Sequence, residues 1–201
     1  MDTKTLFEDL VEYAGIYNSL CNKDINAFGT DLKYALIDFR KLNSDLPLPL
    51  VMELFKQYLN GNITENSIAK LIDSINAYLI RRSICDLDSN NVTRLFPTIL
   101  KKVMDKCNGD FSNVVGVLNQ DMVGNNANTS GSYMPTDIQM HEMLHNASVY
   151  KRPALKIILN RLETNNNPAP VDLSVLSIEH LMPQTPTTER LEELDVDEDA
   201  Y

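Results

Sequence analysis

The sequence predicts a mainly α-helical protein: a multi-helix, bundle-like domain over residues 1–165, followed by a shorter segment, 166–201, that carries one or two short strands. Apolar residues recur at three- and four-residue spacing in one stretch after another, which is the period of a helix with one buried face. Proline, glycine and asparagine interrupt those stretches where a helix would start or stop. Alternation of apolar with polar residues, the mark of a half-buried strand, is confined to Val171, Leu173 and Val175 with Asp172 and Ser174 between them.

Residues 3–21 place Leu6, Leu10, Tyr13, Tyr17 and Leu20 on one stripe, widened by Phe7, Val11 and Ala14, and predict an amphipathic helix. A turn at Phe28-Gly29-Thr30 opens a second helix with Leu32, Ala35, Leu36, Phe39 and Leu42 on one face. Pro47 and Pro49 break the chain before a third, carrying Leu50, Val51, Leu54, Phe55, Tyr58 and Leu59 and ending at Asn60-Gly61-Asn62, where a left-handed residue is tolerated. Thr64 is a suitable N-cap for a fourth, whose stripe runs Ile68, Leu71, Ile72, Ile75, Leu79 and which reaches Arg81-Arg82. After a loop over 86–91, the stripe Leu95, Phe96, Ile99, Leu100, Val103 and Met104 contains Pro97, so that helix either starts near the proline or is kinked by it. Asp110 can cap a short helix with Val114, Val115 and Leu118, and the Asn/Ser/Thr-rich run 124–131 is a loop. Thr136 opens a helix to about Asn146 with a core stripe of Met140, Met143 and Leu144. Pro153 suits the first turn of the next, which packs through Leu155, Ile158, Leu159 and Leu162 and stops at Asn165-Asn166-Asn167-Pro168, the predicted domain boundary.

Composition narrows the function. At 201 residues with 43% hydrophobic content and no low-complexity tract, the chain has enough apolar mass for one substantial core or two small ones. Its net charge is −10, of which residues 185–201, with seven acids and one base, supply −6. A surface that neutralises phosphates needs a basic stripe, so this chain is expected to bind DNA weakly or not at all by itself. The acidic tail reads as a solvated end. Cys21, Cys85 and Cys107 are far apart and odd in number, with no C-x-x-C spacing, and suit free thiols in a reducing cytoplasm. There is no bilayer-length apolar run and no signal-peptide layout, so a cytoplasmic protein without a membrane partner is expected.

Three groups of residues carry chemistry. Glu179-His180 ends a short apolar run before a turn at Pro183, an arrangement suited to metal-assisted phosphodiester hydrolysis: a carboxylate helps hold a divalent ion and a neutral imidazole takes a proton from the attacking water. Such a pair also occurs as a surface pair or a satisfied core histidine. His141-Glu142-Met143-Leu144-His145 matches H-E-x-x-H, which in metalloproteases sets two zinc-ligating histidines one helical turn apart with the glutamate as general base. Glu163 is the conceivable third ligand, although no strand precedes the motif to form a substrate edge. Arg152 and Lys156, one turn apart, are candidate contacts to a phosphate backbone; solvated faces or ion pairs explain them as well. There is no Gly-rich phosphate loop, no Ser-His-Asp elbow and no Cys-His nucleophile arrangement.

The stretch Ile178-Glu179-His180-Leu181-Met182-Pro183-Gln184 resembles the I-E-H-I-M-P-Q signature that opens the HNH (His-Me finger) nuclease domain of GmrSD-type, modification-dependent restriction endonucleases. Tyr78-Leu79-Ile80-Arg81-Arg82-Ser83-Ile84-Cys85 is similar to the Y-L-x-R-R-x-x-C segment of their helical middle region. Tyr133-Met134-Pro135-Thr136-Asp137, then Tyr150 and Leu155 to Glu163, resemble the F-P-x-D and L-x-x-I-L-x-x-L-E run that leads into the nuclease. The resemblance implies a helical connector followed by the start of a ββα-metal domain, in which His180 is the general base and Glu179 a ligand or orienter of Mg²⁺ or a similar ion. It also implies a nucleotide-hydrolysing N-terminal domain with a D-G-Q-Q-R motif, a string this sequence lacks, and a nuclease continuing past His180 with an asparagine-bearing strand and a helix carrying a further Asn or His. Neither Asn nor His follows His180 here. The expectation is therefore an inter-domain piece of a DNA endonuclease acting on foreign or modified DNA, cut just after the nuclease begins, catalytically inactive alone and holding no metal. The alternatives are a helical interaction or regulatory module without nuclease activity, with homo-oligomerisation open, and the zinc metalloprotease.

Overall fold

The computed structural model of the chain describes residues 2–21, 24–123, 131–146, 149–150, 152–166 and 187–195. Among these it forms nine α-helices and no strand: α1 (Thr3–Cys21), α2 (Thr30–Leu42), α3 (Leu48–Leu59), α4 (Glu65–Ile84), α5 (Leu95–Cys107), α6 (Val114–Val123), α7 (Asp137–Asn146), α8 (Pro153–Asn166) and α9 (Thr188–Leu194). The mainly helical class holds. The strand-like run over 171–175, and with it the start of a ββα-metal element, lies outside the described residues.

Local chemistry sets the helix ends. The Thr64 hydroxyl accepts from the Ser67 amide at 3.2 Å, capping α4. Pro49 and Pro97 sit in the first turns of α3 and α5, where a missing N–H costs nothing, so α5 starts two residues before the proline, at Leu95, and is not kinked by it. Asn43, Asn108 and Gly61 take left-handed backbone immediately beyond α2, α5 and α3 (φ 46°, 42° and 78°). The first turn of α2 is capped from another helix: the Gly29 amide donates to Glu65 Oε1 at 3.0 Å. A Cβ at Gly29 would stand 2.2 Å from that oxygen, so a larger residue there would push the end of the flexible Glu65 side chain aside and disturb this cap.

Helix α4 is the centre of the core, packing against α2, α3, α6 and α7, while α5 packs on α3 and α6 and α1 on α3. Leu32, Leu36, Leu50, Leu54, Phe55, Ile68, Leu71, Ile72, Ile75, Phe96, Ile99 and Val103 are almost wholly buried together. Tyr78 meets Phe96 edge to face at 5.8 Å, and Phe55 meets Phe28 in the same way at 6.0 Å. Asn76 is a polar member of this core: its amide donates to the Ala35 carbonyl at 2.8 Å and joins α4 to α2. α1 is joined to α3 by the Tyr13 hydroxyl, which donates to Glu53, and by Lys56 Nζ, 2.7 Å from Glu12. Arg40 of α2 donates to the Leu20 carbonyl at 2.7 Å, satisfying an end group of α1.

Three expectations need correction. In α1 only Ile16 and Leu20 are buried; Leu6, Phe7, Leu10, Val11 and Tyr17 of the predicted stripe are exposed, because α1 meets its neighbours only through its second half. In α7, Met140 and Met143 are half-buried and Leu144 is exposed. In α8 the buried residues are Ala154, Leu155 and Ile157, and Leu159 and Leu162 are exposed. The acidic tail contains a two-turn helix, α9. The chain divides into two compact units, Met1–Leu159 and Asn160–Tyr201; the sequence places a boundary at 165/166.

Candidate functional site

The last two turns of α4 carry a cluster of polar groups aimed at a part of the chain more than fifty residues away. The Tyr78 hydroxyl donates to the Ser132 carbonyl at 2.8 Å. Arg81 donates to the Pro135 carbonyl at 2.9 Å and pairs with Asp137 at 2.5 Å. Arg82 donates to the carbonyls of Tyr133 at 3.0 Å and Asp88 at 2.6 Å, and its guanidinium carbon lies 5.6 Å from the centre of the Tyr78 ring. Cys85 Sγ meets Met140 Sδ at 3.8 Å. These contacts form a clasp between α4 and the segment 132–136 that leads into α7.

Helical geometry makes the clasp. Tyr78 and Arg82 are one turn apart on the stripe that holds Ile68, Leu71 and Ile75, so the arginine is carried into the core face and is only 4% exposed. A guanidinium remains charged when buried and has to spend its donors on oxygens; backbone carbonyls supply them here. Burial pushes the Tyr78 phenol up to about 12, with Arg82 acting in the opposite sense. Burial likewise raises the Cys85 thiol, against the pull of Arg81. Asp88 is held below the usual carboxylate range by the Asn90 backbone amide and then by its side chain, which shapes the turn whose carbonyl Arg82 takes. The far side is also prepared: Thr136 and Gln139 form a reciprocal capping box, with the Thr136 amide donating to Gln139 Oε1 at 2.9 Å and the Gln139 amide to Thr136 Oγ1 at 3.3 Å.

The predicted site residues fall in different places. Glu179 and His180 lie outside the described residues. Arg152 pairs with Asp86 at 2.5 Å, at the left-handed residue just after α4 (φ 54°), and Lys156 is exposed on α8. His141 and His145 stand exposed on α7 with ring centroids 4.6 Å apart, and Glu142 is exposed beside them. Glu163 is partly covered on α8. Among the described residues no group of three His, Cys, Asp or Glu side chains is placed to hold a metal. Cys21, Cys85 and Cys107 are free thiols.

A recess of about 180 Å³ between the first turns of α2 and α4 is lined by Thr30, Asp31, Leu32, Glu65 and Asn66. Two helix N-termini would draw an anion there. Glu65 already occupies that role and Asp31 adds a second negative charge, so the recess suits no acidic ligand. The clasp itself is the feature a sequence reading misses. Its signal is an arginine at the next turn of an apolar stripe, visible once the α4 stripe is continued through Tyr78 to Arg82 instead of Leu79. No family model, curated protein or solved structure matches the chain.

Proposed function

We propose that this chain is the helical inter-domain region and the opening of the HNH domain of a GmrSD-type DNA restriction endonuclease acting on foreign or modified DNA. One observation carries the reading. The two stretches similar to that family, Tyr78–Cys85 and Tyr133–Asp137, are distant in sequence and meet side chain to backbone in the clasp. Segments that are shared because they build one structural unit have to meet in this way. In the intact nuclease His180 would take the proton from water and Glu179 would offer a hard oxygen to Mg²⁺. The second metal ligand and the asparagine that would orient His180 do not occur after His180 in residues 1–201, so these residues by themselves are expected not to cut DNA.

The reading frame around the coding region tests this first. It must continue past Tyr201 into an asparagine-bearing strand and a helix with a further Asn or His, and its product must cleave DNA with Mg²⁺ in a way that His180→Ala abolishes. A frame that stops at Tyr201, or cleavage that survives His180→Ala, overturns the proposal.

A second reading, a helical interaction module, is favoured by the uncovered start of α1, where Leu6, Phe7, Leu10 and Val11 are 46–69% exposed on contiguous turns. Sedimentation of the chain separates the readings: self-association that Phe7→Glu removes supports the module, and a monomer at all concentrations removes the homo-oligomer from it.

A further inference from the structure

We infer that α7 carries a two-imidazole chelate for a borderline divalent cation such as Zn²⁺, built from His141 and His145 and distinct from any Mg²⁺ site at Glu179 and His180. The two residues are one turn apart on a single helix, both exposed, with rings 4.6 Å apart and inclined at 44°. Two nitrogens on one tetrahedral zinc are separated by about 3.3 Å, given Zn–N bonds of about 2.0–2.1 Å. Rotation of the exposed rings about their own side-chain torsions reaches that separation without moving backbone. The platform is preformed: the Thr136/Gln139 capping box fixes the start of α7, and Arg81 anchors its first residue, Asp137.

The ligand type selects the metal. Imidazole suits Zn²⁺ and Cu²⁺, whereas Mg²⁺ takes oxygen ligands and keeps its water. Among the described residues no third His, Cys, Asp or Glu joins the pair, so these residues supply two of the four coordination positions, and water or another donor would take the rest. None of the described α7 side chains is buried, so an ion spanning one turn would tie down a helix that depends on its caps.

The test is a calorimetric titration of the tag-free chain with ZnCl₂ at neutral pH, beside His141→Ala, His145→Ala and His180→Ala, with hydrogen exchange of residues 137–146 followed with and without zinc. Both α7 histidines are exposed, so either substitution leaves the fold intact. The expected result is one micromolar site, unaffected by millimolar Mg²⁺ and retained in His180→Ala. Removing either α7 imidazole should weaken it by more than the roughly 10–100-fold that loss of an outer partner costs a metal site, and zinc should slow exchange in α7. No binding below millimolar zinc, or binding that neither α7 substitution weakens, overturns the inference; retention in those variants would point instead to the thiols of Cys21, Cys85 or Cys107.

Discussion

A charged side chain inside a protein is kept there by what its donors reach. Arg82 has two backbone carbonyls and an aromatic ring within range and is 4% exposed. Arg82→Ala leaves the Tyr133 and Asp88 carbonyls without that partner and opens space beside Tyr78, so it should cost about 2–4 kcal/mol in chemical denaturation. Arg82→Lys should recover only part, because one ammonium cannot serve two divergent carbonyls as a planar fork does. An equal effect for the two substitutions would mean that the geometry of the fork is irrelevant. Asp86→Asn, which removes the charge from the exposed pair with Arg152 and keeps a residue that tolerates the left-handed backbone, should change stability by no more than about 1 kcal/mol. The position of Arg82 on the α4 stripe is readable in the sequence; its acceptors are not, since they are backbone carbonyls, one at Asp88 and one at the distant Tyr133, and carry no residue-type signature.

At the scale of the element, helix identity and limits were legible because caps and prolines are local chemistry: Thr64, Gly61, Pro97 and Thr136 each act where the pattern placed them. Which side of a helix is covered was less legible. The period in α1 marks an apolar face, but how far that face meets a neighbour depends on α3 and α2, which grip α1 at Tyr13, Lys56 and Arg40. The same competition governs α8, where Ile157 and not Ile158 turned inward. Leu20→Ala should therefore cost about 2–5 kcal/mol, as a buried leucine does, whereas Phe7→Ala, at a residue 69% exposed, should stay within about 0.5 kcal/mol. Thermal unfolding of the two variants measures both; a large loss from Phe7→Ala would show that the start of α1 is covered in solution. α9 escaped notice because its acids mask a short apolar spacing at Leu191 and Leu194.

Over the whole chain, charge and burial set the response to solvent. With a net charge of −10, residues 1–201 should not retard duplex DNA in a gel at physiological salt. Two phenols predict an alkaline limit. Burial and the hydrogen bond to Glu53 push Tyr13 up to about 12, and burial does the same for Tyr78, against about 10 in an unfolded chain. A pKa raised by folding stabilises fully below pH 10 and is lost as pH rises towards 12, so denaturant midpoints should fall across that window and fall less steeply in Tyr78→Phe. The helical class was readable from periodicity alone, whereas the nuclease opening rests on a resemblance whose residues lie outside those described. The clasp has one more consequence, in time. A ribosome extends a chain by roughly 5–20 residues each second, so the Tyr133 carbonyl is made about 3–10 s after Arg82. Until then the guanidinium has to stay hydrated, and the end of α4 cannot settle into the hydrophobic interior however early the helix itself winds; the order in which the polymer is born becomes the order in which its centre can close.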